Sequence, residues 1–74
     1  MIWDSRLIQG EMWLAGKLGI DDLYGGVTTV EKRRERLREE ILVRGIANDR
    51  AGRTASGESE TYARAFERLY RQPL

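Results

Sequence analysis

Apolar side chains recur at helical spacing in three stretches of the chain. In the first stretch they share one face at about 100° per residue: Leu7, Ile8, Leu14, Ala15 and Leu18. Asp4 or Ser5 can cap the start of this stretch, and Gly19 can adopt the left-handed conformation that closes a helix. The pattern predicts a helix over about residues 5–18.

The second stretch has the clearest start signal. Thr28 and Glu31 form the S/T-x-x-E capping box, which satisfies two otherwise unpaired amide groups. Gly45 followed by Ile46 repeats the closing pattern of the first helix. The apolar stripe consists of Val30, Leu37 and Ile41, and further apolar side chains surround the final turn: Leu42, Val43 and Ile46. The pattern predicts a helix over about residues 29–44.

The third stretch comes after a segment of small and polar residues. Residues 47–58 contain two glycines and no apolar periodicity, which is typical of a flexible linker. Beyond it, Ser59 can cap a helix and Pro73 blocks its extension. One side of this helix is apolar: Tyr62, Ala65, Phe66, Leu69 and Tyr70. The pattern predicts a helix over about residues 60–71.

These elements predict an all-α fold in a single small domain, residues 1–74. The first two helices form an antiparallel helical hairpin, and the C-terminal helix closes it, because that arrangement hides all three apolar stripes. A chain of 74 residues has a small core and neither cysteine nor histidine to build a disulfide or a zinc site. We therefore expect self-association or a partner to supplement its stability.

The residue types exclude several kinds of site. Without histidine or cysteine the chain has no Ser-His-Asp or Cys-His arrangement, no imidazole base and none of the usual zinc ligand sets. Residues 52–59 match the phosphate-loop pattern G-x-x-x-x-G-K-S, but Glu58 replaces the lysine and reverses its charge. We expect no catalytic residue, metal ion, cofactor or small-molecule ligand, and we expect that the protein is not an enzyme.

Charge and hydropathy argue against a membrane protein. The net charge is +1, and 41% of the residues are hydrophobic against 34% charged, which indicates an ordinary soluble protein. No apolar run approaches the ~20 residues that a membrane-spanning helix needs. Asp4 and Arg6 interrupt the N-terminus before a signal-peptide core can form. We expect a cytoplasmic protein.

Two side chains of the first helix lie off its apolar face. Trp13 points about 120° away from Leu7, and Met12 about 140° away on the other flank. A single packed face cannot cover both, so we expect one of them to be exposed. Tryptophan beside arginine is typical of interface hot spots, and Trp13 is either such a contact residue or part of the core.

Glu11 lies inside the apolar stripe of the first helix. An unpaired buried carboxylate is too costly to keep. Either Glu11 sits at the rim of the core, or it pairs with an arginine from the second or third helix.

By elimination, these features favour a small non-enzymatic protein–protein interaction module, which acts as a regulator, inhibitor or small assembly subunit. It would dock on a larger protein partner or form a homo-oligomer. We expect Met12 and Trp13 to supply its apolar contacts. Its polar rim would consist of three arginines: Arg33, Arg34 and Arg36.

Two segments also resemble a helix-turn-helix DNA-binding unit. Residues 9–20, QGEMWLAGKLGI, are similar to its first helix and turn, where Ala15 permits close packing and Gly19 makes the turn. Residues Thr28 to Leu37, TTVEKRRERL, are similar to the start of a recognition helix. The resemblance implies a DNA-binding regulator, our alternative hypothesis, with four side chains available for phosphates or base edges: Lys32, Arg33, Arg34 and Arg36.

Overall fold

Three helices and a small antiparallel sheet make up the described part of the chain. The computed structural model describes residues 5–20, 29–46, 50–53 and 57–74. Its elements, in chain order, are helix α1 (Ser5–Leu18), helix α2 (Val30–Arg44), strand β1 (Arg50–Arg53), strand β2 (Ser59–Thr61) and helix α3 (Tyr62–Tyr70). The predicted all-α class with three short helices is confirmed.

The end of α1 forms as its sequence indicates. Gly19 adopts a φ of 73°, and its N–H donates to the Gly16 carbonyl at 3.3 Å. The N–H of Ile20 donates to the Ala15 carbonyl at 3.0 Å, and the Ile20 side chain is buried. Together these two bonds make the Schellman closure, which satisfies carbonyls that the helix itself leaves unpaired.

The start of α2 differs by one residue from the predicted capping box. Thr29, rather than Thr28, is the N-cap, and its hydroxyl accepts from the backbone N–H of Lys32 at 3.2 Å. Glu31 is then one position too early to complete the reciprocal bond of a capping box. Thr28 itself lies outside the described residues.

The apolar stripe of α2 is shorter than predicted. Leu37 and Ile41 are fully buried, but Val30 and Ile46 stay exposed. Gly45 still closes the helix, and its N–H donates to the Leu42 carbonyl at 3.3 Å.

Part of the predicted linker is a strand. Within residues 47–58, β1 pairs with β2 in antiparallel register, with Gly52 opposite Glu60 and Arg53 opposite Ser59. Because Ser59 belongs to this pairing, α3 begins later than predicted and Thr61 becomes its cap. Neither strand alternates apolar and polar residues, so the sequence carries no period-two signal. Residues 47–49 and 54–56 lie outside the described ranges.

The first two helices run in the same direction, whereas the sequence predicted an antiparallel hairpin. Glu11 of α1 bonds Arg33 near the start of α2, and Leu18 at the end of α1 bonds Arg44 at the end of α2. The two contacts therefore follow the same order along both helices. The antiparallel arrangement was predicted on the assumption of a tight connection between the two helices. A connection of eight residues, 21–28, can extend up to about 28 Å, which exceeds the ~21 Å length of α1. It is therefore long enough for the chain to return to the start of α1 before the second helix begins.

The core draws on all three helices. Its buried apolar members are Leu14, Ala15, Leu18, Ile20, Leu37, Ile41, Ala63, Ala65 and Phe66. Five partly buried side chains pack against this cluster: Trp13, Tyr62, Leu69, Tyr70 and Leu74. The rings of Phe66 and Tyr70 lie 4.8 Å apart between centroids, in the tilted arrangement that aromatic pairs prefer.

A glycine lets α1 and α3 approach closely. A methyl group at Gly10, in the first half of α1, would overlap Cδ2 of Leu69, near the end of α3. A larger residue at Gly10 therefore requires Leu69 to move.

Two matched glycine substitutions test this contact. Gly16→Ala should stabilise the protein by up to about 1 kcal/mol, because no atom lies within 4 Å of the new methyl group and alanine favours helix. Gly10→Ala gains the same propensity but overpacks Leu69, which typically costs about 1–3 kcal/mol. Urea unfolding should rank Gly16→Ala clearly above Gly10→Ala. Equal stabilisation by both changes would contradict the close approach.

Candidate functional site

A buried polar cluster connects the three helices. Glu11 of α1 has no exposed surface, and its Oε1 accepts from Nε of Arg33, which is 5% exposed, at 2.8 Å. Its Oε2 accepts a hydrogen bond from the hydroxyl of Tyr70 at the end of α3. Of the two places considered for Glu11, the structure selects pairing with an arginine of the second helix. The cluster therefore links one side chain from each of the three helices in the interior of the protein.

This cluster changes the positions of the predicted basic contact residues. Arg33, expected at a polar rim or on DNA, lies inside the protein. Arg34 is half-buried, and its Nη1 donates to Oε1 of Gln72 at 3.0 Å. Arg36 is also half-buried and has a bonding partner of its own. Lys32 alone of the four is exposed. The structure therefore does not bring these side chains together on one open face.

A signal for the inward position of Arg33 is present in the sequence. Arg33, Leu37 and Ile41 recur at four-residue spacing, so they share one face of a helix. Arginine is usually a surface residue, and the expectation of an exposed Arg33 relied on that tendency alone. The second part of the signal is the carboxylate of Glu11 on the first helix, with which a buried arginine can pair.

Met12 and Trp13 have different environments. Met12 is 55% exposed, whereas Trp13 is half-buried and packs against the core cluster. As expected, one of the two is exposed, and it is the methionine. Trp13 therefore contributes to the edge of the core, and only part of its ring is open to solvent.

The most exposed apolar surface of the described residues lies where α2 ends. We call Leu42, Val43 and Ile46 the apolar end of α2. Val43 is 79% exposed, and Leu42 and Ile46 are 43% and 42% exposed. Exposed single apolar residues are ordinary, but a contiguous group is typical of an interaction site. The sequence contains this signal, because these residues surround the final turn instead of continuing one stripe.

Hydrogen bonds fix the position of the apolar end. Nη2 of Arg44 donates to the Leu18 carbonyl at 2.6 Å, which anchors the last turn of α2 to the last turn of α1. Nη1 of the same side chain donates to Oε1 of Glu40 at 3.1 Å. The apolar side chains therefore lie on a helix end that is held in place. Less conformational entropy is lost when a partner binds to such a fixed surface.

Other kinds of site find no support among the described residues. There, no group of three or more aspartate, glutamate, histidine or cysteine side chains is placed to hold a metal ion. Within the same ranges, no helix has both the length and the apolar character to cross a bilayer. Comparison with protein-family models, curated proteins and solved structures found no match.

Proposed function

We propose that this chain is a non-enzymatic protein–protein interaction module that docks through the apolar end of α2. The observation that carries the proposal is the exposure of Leu42, Val43 and Ile46, three large apolar side chains within five residues. Covering them removes apolar surface from water, which is the main favourable term in protein association.

The surroundings of these residues suit an interface. Buried apolar anchors enclosed by polar side chains are the usual arrangement at protein contacts. Here Arg38 and Glu39 are exposed about one helical turn before Leu42, and Arg44 is exposed beside Val43 in the sequence. The proposal assigns the anchor role to Val43, the most exposed of the three, and places Trp13 in a supporting position at the edge of the core.

DNA binding through Thr28 to Leu37 is not favoured by any observation on the described residues. Arg33 is held inside by Glu11, and the exposed side of the same helix carries Glu31 and Glu35. A recognition helix normally presents its basic side chains to the phosphates. We therefore propose a protein as the partner and not a nucleic acid.

The test compares two glutamine substitutions on exposed apolar positions. Val43→Gln should weaken the affinity for the partner about tenfold, because an interface anchor contributes more than about 1 kcal/mol. Met12→Gln is the matched control, since Met12 is exposed on α1 away from the apolar end. Glutamine is a good helix former, so both variants should keep their helical circular dichroism.

The measurement starts with affinity capture from the native host by the wild type and both variants. Binding of each purified partner, including an untagged copy of the chain, is then measured by calorimetry. The proposal expects at least one partner that the wild type and Met12→Gln bind and Val43→Gln binds weakly. If all three proteins bind the same partners with equal affinity, the apolar end is not the docking site.

A further inference from the structure

We draw no further inference here: the strongest candidate, the exposed apolar patch of Leu42, Val43 and Ile46 where α2 ends, belongs to the docking surface already proposed, and nothing in the part of the chain that the structure describes shows which molecule covers it.

Discussion

Arg33→Met should lower the free energy of unfolding by about 3–5 kcal/mol, because it removes one partner of a buried ion pair. The Glu11 carboxylate has no exposed surface and would keep only the Tyr70 hydroxyl among its described partners. A domain of 74 residues has a total stability of roughly 4–11 kcal/mol. Urea unfolding followed by circular dichroism should therefore show a much earlier midpoint.

A double substitution distinguishes the cost of a broken pair from the loss of a single contact. Arg33→Met combined with Glu11→Leu removes both charges, and replacing a buried pair by apolar side chains is often neutral or stabilising. The double variant should recover most of the lost stability. Arg64→Met is the control, because Arg64 is exposed and unpaired among the described residues, and should change stability by less than about 0.5 kcal/mol. Equal effects of Arg33→Met and Arg64→Met would contradict the buried cluster.

Leu37→Ala should destabilise the protein by about 2–5 kcal/mol, because Leu37 is fully buried at the centre of the α2 contact. The loss combines the transfer energy of the removed methyl groups with the cavity that they leave. In a core this small, few neighbouring side chains can move in to fill the space. Differential scanning calorimetry should show a lower melting temperature or no cooperative transition.

Leu42→Ala is the matched control on the same helix. Leu42 is 43% exposed, and it faces away from the core. The same change of residue should therefore cost no more than about 1 kcal/mol. If both alanine variants lose the same stability, Leu42 belongs to the core and the apolar end of α2 is not an open surface.

Local signals predicted most of the helix ends. Gly19 closes α1 as expected because a glycine tolerates positive φ and the bonds involved lie within six residues. The ends of α2 agreed for the same reason, with a shift of one residue at Thr29. Adjacent threonines can each cap a helix, and their order alone does not decide between them.

Local sequence signals do not predict strand β1 or the direction of α2 relative to α1. The residues of β1 are arginine, alanine and glycine, and they form a strand because Ser59–Thr61 pairs with them. The relative direction of α1 and α2 depends on which faces meet, and the connecting length allows both directions. Each feature is decided by contacts between residues distant in sequence.

In the candidate site, too, some features follow from the sequence and others from the packing of the helices. The apolar surplus around Leu42 and Val43 is visible in the sequence, because a final turn that is apolar on several sides cannot bury all of them. That Val43 is open and Trp13 partly covered depends on how the helices pack. The buried position of Arg33 can be predicted only if Glu11 is identified as its partner.

The sequence by itself determined the three helices, the glycines that close the first two, and the condition that Glu11 either lies at the rim of the core or pairs with an arginine, because periodicity, capping and the cost of a buried charge act on any chain. Only the tertiary structure decided that Arg33 is that partner, that α1 and α2 run in the same direction and that the apolar end of α2 stays open. Those outcomes depend on which surfaces pack together, and several arrangements satisfy the same local pattern.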